Sequence, residues 1–197
     1  MEEAERRSTT RRILAAALEV FSRDGLGATT REIARVAGVN EATLFRQFES
    51  KAHLLTAVTA EVLRLEADAL ARVDFEDFDL RRDLTRVAEA YFQAISEHDS
   101  FIRTLMARPA DPKLSERIVL EVAQPLRRRF IDYLAEAQRR GLIRKNADLG
   151  SSVDAFTGML FAGALRRSFY DPGYSRKTYL DVCVDLFLRG VLAPDGA

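Results

Sequence analysis

Apolar residues recur at intervals of three and four along almost the whole of this 197-residue chain, and that spacing commits it to helices. Its five prolines and ten glycines stand mostly between the periodic segments, where they act as punctuation. No strand-like alternation competes, so the expected fold class is all-α, without internal repeats. Ile13, Ala17 and Phe21 share one stripe with Leu14 and Leu18 beside it, and the pattern stops at Asp24-Gly25.

Thr29 followed by Glu32 predicts a capping box, in which each side chain satisfies the other's orphan backbone donor. The helix it opens carries Ile33, Val36 and Ala37 inward and ends at Gly38. Asn40 predicts the cap of a third helix bearing Leu44 and Phe48, and Ser50 the cap of a fourth from about Lys51 to Ala71. The acidic, aromatic stretch VDFEDFD over residues 73–79 lacks helical spacing and predicts a turn. Further helices are expected over 80–97, 99–108, 112–139, 148–170 and 175–191, with Pro125 kinking or splitting the third of these.

Thirty basic residues balance thirty acidic ones, so net charge points to no polyanionic partner. The single Cys183 excludes an intramolecular disulfide framework, and the charged start MEEAERRSTTRR lacks the apolar stretch of a secretory signal. A cytoplasmic protein is the expectation. The longest apolar run, Val153–Leu165, is interrupted by Asp154 and Thr157 and falls short of the roughly 20 residues that span a bilayer. No cofactor or metal is expected. His53 and His98 are the only histidines, no spacing forms a zinc site or catalytic dyad, and there is no glycine-rich phosphate loop.

Two short helices separated by Ala37-Gly38-Val39 have the geometry in which the second helix enters a DNA major groove while the first crosses the backbone. Thr29, Thr30, Arg31 and Lys51 stand near helix N-termini, where backbone amides favour phosphate. With Leu44 and Phe48 turned inward, Asn40, Glu41, Ala42, Thr43 and Arg46 are free to face bases. Glu41 is awkward beside phosphates unless it reads cytosine, pairs with Arg46 or repels wrong sites. Read alone, the same residues fit a solvated helix face.

The stretch TTREIARVAGVNEATLFRQFESKAHLL, preceded by VFSRDGLGATT, resembles the signature of the TetR family of bacterial transcriptional repressors. The resemblance rests on Thr30, Ile33, Ala34, Ala37-Gly38-Val39, Thr43-Leu44-Phe45, Phe48, Lys51 and Leu54, and covers about the first quarter of the chain. It implies a three-helix helix-turn-helix DNA-binding domain, placed at 1–52, and a helical ligand-sensing and dimerisation domain, placed at 53–197. The implied partners are a double-stranded DNA operator, a small-molecule effector and a second copy of the chain. The family usually has tyrosine where this chain has Phe45, and that hydroxyl commonly contacts a phosphate. Asn40 and Glu41 also depart from the usual residues, so no relative's operator can be borrowed. Arg6, Arg7 and Arg11 are further candidates for phosphate.

TetR-like proteins usually dimerise through their last two long helices. Here those helices offer Phe161, Leu165, Tyr179, Val182, Leu186 and Phe187, which would equally complete a monomeric core. Phe92, Ile95, Phe101, Met106, Ile118, Val122, Phe130 and Phe156 suit the lining of an effector cavity and suit a packed core as well. Tyr91, Gln93, Gln124 and Arg103 are candidate polar anchors. The run Arg127-Arg128-Arg129 points in different directions around a helix and reads as solvated or ion-paired surface. The competing readings are a helical adaptor without DNA recognition and an all-helical enzyme using scattered carboxylates.

Overall fold

The computed structural model describes residues 2–73, 75, 78–106 and 124–193. Nine α-helices occur among the described residues: α1 (Glu2–Asp24), α2 (Thr30–Ala37), α3 (Glu41–Phe48), α4 (Lys51–Ala71), α5 (Leu80–Glu97), α6 (Asp99–Met106), α7 (Gln124–Arg139), α8 (Leu149–Arg167) and α9 (Arg176–Val191). The all-helical expectation holds, and α4 and α5 begin and end where the periodicity and caps put them. Of the helix expected over 112–139, α7 is the described part, and residues 112–123 lie outside the described residues. Among the described residues, the β-pairing is one antiparallel bridge between Ile143 and Leu192.

Short polar side chains start the helices by accepting the backbone N–H three residues on. Asp79 takes that of Arg82, Asp148 that of Ser151, and Ser175 that of Thr178, at 2.7–3.1 Å.

The chain divides into two compact units. The first runs to Arg64 and takes in α6 from Ser100. Ile13, Phe21, Ile33, Leu44 and Leu54 are wholly buried in its core, and Phe101 closes onto the same cluster. It keeps α4 beyond residue 52, where the sequence division was drawn, because Val58 and Val62 also face that core.

In the second unit α5 packs against α8 and α9, and α7 against α8. Phe130, Phe156 and Phe187 form a three-ring cluster, with Phe156 and Phe187 centroids 4.8 Å apart. At Gly163 a Cβ would fall 2.1 Å from the Tyr179 ring, so glycine is what lets α8 and α9 approach this closely. The Tyr179 hydroxyl donates to the Met159 carbonyl at 2.7 Å, and burial with the neighbouring Cys183 pushes its pKa up to about 12.

Candidate nucleic-acid interface

The helix-turn-helix is fixed by its caps. Thr29 Oγ1 accepts from Glu32 N at 3.2 Å, which is one half of the predicted capping box. The other half is taken up differently: the Glu32 carboxylate receives both donors of Arg35 and one of Arg23. Those two guanidiniums, Arg35 foremost, hold the Glu32 pKa down at about 2. α2 ends on Gly38 at φ 65°, a left-handed conformation that favours glycine, and Val39 N reaches back to Ala34 O at 3.0 Å. Asn40 then opens α3 by accepting from Thr43 N at 2.7 Å.

The turn is also clasped from outside. Arg12 of α1 donates through Nη2 to Ala37 O (2.8 Å) and Gly38 O (2.9 Å), so a cation sits on the carbonyl end of α2. Nothing in the sequence singles out Arg12, because its partners lie 25 and 26 residues away. Arg12→Ala is expected to lower the stability of the first unit by about 1–2 kcal/mol, read from urea denaturation. Arg12→Lys should recover only part of that, since an ammonium lacks the Nε–H that also reaches Ala37 O at 3.3 Å.

With Leu44 and Phe48 buried, α3 presents Asn40, Ala42, Phe45 and Arg46 to solvent, and Glu41, Thr43 and Gln47 half-buried. Among the described residues, neither Arg46 nor the exposed Arg31 has an ion-pair partner. Thr29 is exposed at the α2 cap. Thr30 Oγ1 donates to Glu41 Oε1, so Glu41 pairs with α2 and not with Arg46. Lys51 commits one donor to Leu26 O at 2.5 Å, which ties the start of α4 to the turn after α1 and leaves two donors outward.

Thr43, Arg46 and Gln47 share a groove of about 690 Å³ with Glu3, Glu5, Arg6 and Thr9 of α1. Arg7 is turned to Glu3 at 2.6 Å. Gln47 was missed in the sequence, although it follows Asn40 and Thr43 at helical spacing. Thr10 Oγ1 donates to its Oε1 at 3.3 Å.

The chain matches two family models. One, described as bacterial regulatory proteins of the tetR family, covers residues 13–58, and the other, a tetracyclin repressor-like C-terminal domain, covers residues 77–178. The chain belongs to the TetR family. It is 31% identical over 173 residues to the HTH-type transcriptional regulator SrpR of Pseudomonas putida, covering 81% of this chain and 77% of that one. It is 26% identical over 191 residues to the uncharacterized HTH-type regulator YvkB of Bacillus subtilis, covering 95% and 99%.

Two solved structures share its fold. The fatty acid degradation regulator FadR of Bacillus halodurans has a TM-score of 0.75 at 19% identity, covering 91% of this chain and 94% of that one. A transcriptional regulator of Rhodococcus sp. Rha1 has a TM-score of 0.76 at 20% identity, covering 94% and 99%. This TetR-family member is a DNA-binding transcriptional regulator, and the enzyme reading is set aside because its relatives are regulators. Among the described residues no helix is long and apolar enough to cross a membrane, and no side-chain cluster could hold a metal ion.

The remaining sequence candidates are dispersed. Phe92, Ile95, Phe130 and Phe156 are buried in the second unit, Phe101 is in the first unit's core, and Met106 is exposed. Ile118 and Val122 lie outside the described residues. Of the six dimer candidates, Val182 and Leu186 are exposed, Phe161 and Tyr179 half-buried, and Leu165 and Phe187 buried in their own protomer. The exposed side of α8 carries Ala155, Gly158 and Ala162, small residues the sequence did not mark. In the arginine run, Arg127 grips Asp154 through two bonds of 2.7 and 2.8 Å, and Arg129 donates to Ala71 O and Val73 O.

Proposed function

We propose that this TetR-family regulator is a cytoplasmic homodimeric repressor that reads a palindromic operator with the two copies of α3 and is released by a small apolar or aromatic effector. The observation that carries the DNA part is the face of α3, where Arg46 stands unpaired beside Asn40, Ala42, Thr43 and Phe45, opposite buried Leu44 and Phe48. Thr29, Arg31 and the spare donors of Lys51 are placed to meet phosphates, which set register, while the α3 residues read base edges. Phe45 contributes apolar contact without the hydroxyl usual in the family.

Dimerisation is supported by the exposed apolar sides of the last two helices, Val182 and Leu186 on α9 and Ala155, Gly158 and Ala162 on α8. Leu186→Glu is expected to leave the fold intact, because Leu186 is 57% exposed in the protomer, while converting the dimer to a monomer in sedimentation. Operator affinity should then fall about 100-fold, as two half-sites are no longer held together. The effector part rests on the aromatic interior of the second unit. An effector should raise the melting temperature while weakening operator binding; tight binding with unchanged DNA affinity contradicts release.

Selection from a random duplex pool tests the whole reading. An inverted repeat with half-site centres about 10 base pairs apart, or a multiple of that, supports it. Enrichment of no sequence by the folded, effector-free protein overturns it in favour of an adaptor.

A further inference from the structure

Glu41 begins α3 and Thr30 begins α2, so the hydrogen bond between them joins the two N-terminal turns of the motif. This has two consequences. The Thr30 hydroxyl, at a helix start suited to phosphate, is already donating to a neighbour. The Glu41 carboxylate is held in one place by a partner that brings no positive charge, on the same helix face region as exposed Asn40 and Ala42. Arg46, the cation that would neutralise it from within α3, has no ion-pair partner among the described residues. The motif thus carries a fixed carboxylate on the helix proposed to meet DNA, and among the described residues its hydrogen-bond donor is Thr30.

An acceptor-only group in a major groove is satisfied by an exocyclic amino group and by little else, and the cytosine amino group is its usual partner. Against any other edge it stays desolvated, unpaired and close to phosphates, which penalises the complex. We propose that Glu41 is a specificity-determining residue: held by Thr30, it accepts a hydrogen bond from one cytosine amino group in each operator half-site and disfavours DNA lacking that donor. Thr30 is its positioning residue. The proposal rests on α3 being the reading helix.

The test repeats the duplex selection with the full-length protein, its Glu41→Gln variant and its Thr30→Val variant. The amide keeps the shape and can still accept from Thr30, so the fold should be unaffected, but it loses the charge and gains a donor. Wild type should show one cytosine per half-site preferred about 5- to 150-fold over other bases. Glu41→Gln should lose that preference and bind random-sequence duplex more tightly, with preferences at other positions retained. Thr30→Val should blunt the same preference and no other, an effect that a purely structural tie would not produce. If wild type prefers adenine there, the amino-group chemistry stands and the assignment to cytosine falls. If both variants keep every preference of wild type, while Thr43→Ala and Arg46→Ala change theirs, Glu41 is structural and the proposal falls with the reading helix intact. If the Thr43 and Arg46 variants also change nothing, the reading helix itself is wrong.

Discussion

Phe156→Ala is expected to destabilise the second unit by about 3–5 kcal/mol, the usual range for emptying a buried aromatic site. Phe156 has no exposed surface, and its ring lies against Phe187 at an interplanar angle of 51° and against Phe130 at 57°. Removing it forfeits the transfer energy of the ring and leaves a space that two further aromatics, themselves anchored in α7 and α9, cannot collapse to fill. The urea midpoint should fall with the denaturant slope nearly unchanged. The variant should also bind a small aromatic such as benzene in the space left, seen as a larger rise in melting temperature than in wild type. A loss below about 1 kcal/mol would mean the ring makes no such packed contact.

Tyr133→Phe should cost about 2 kcal/mol although it removes a single oxygen. Asp83 is a fully buried acid, and the Tyr133 hydroxyl donates to its Oδ2 at 2.6 Å, with Arg82 Nε 3.9 Å from the other oxygen. Deleting the hydroxyl leaves a buried acid one donor short, and the desolvation of a polar group that has lost a hydrogen bond is what makes such losses large. The cost should shrink in an Asp83→Asn background, because the lost hydrogen bond is then made to a different acceptor and the two changes are coupled. Tyr133 also stacks on Phe75 and Phe78, with centroids 4.0 and 5.2 Å away, and the Arg140 guanidinium lies 3.8 Å from the Phe78 ring centroid. Phe78 sits at φ 56°, a costly conformation for a bulky residue, and these contacts are what hold it there.

The same pair gives the protein an alkaline limit. Burial first, then the Asp83 hydrogen bond and charge, raise the Tyr133 pKa well above its ordinary value of 10.0. The folded state therefore keeps a proton that the unfolded chain releases near pH 10, so this contribution is complete below that pH and is lost as pH rises above it. Tyr179, raised to about 12, adds in the same sense. The denaturation midpoint should drop between about pH 10 and 12, and less steeply in Tyr133→Phe.

Local information made most of the fold legible. Asn40 and Ser50 cap helices because a short oxygen-bearing side chain three residues ahead of a free N–H acts within its own neighbourhood. The same reasoning fails where partners are far apart in sequence. Arg12 and the α2 turn, and Tyr133 and Asp83 at a separation of 50 residues, meet only once the helices pack. Thr30 donates to Glu41 across 11 residues, a pairing that the sequence did not suggest. On α8 and α9 the apolar stripe is wider than one face, so periodicity could not say that Leu165 and Phe187 turn inward while Val182 and Leu186 stay outside. Phe101 looked like its neighbours in the middle helices, yet it belongs to the core of the first unit.

The central claim is that α3 reads DNA, and a salt titration of the selected duplex with wild type and a Thr43→Ala, Arg46→Ala double variant tests it most directly. Wild type should bind with a steep negative salt slope, reporting phosphate neutralisation, and should prefer the selected site over random duplex by at least about 10³-fold. The folded double variant should lose most of that preference while keeping much of the slope. Equal site preference in the two proteins would contradict the account and place the reading surface elsewhere on the chain.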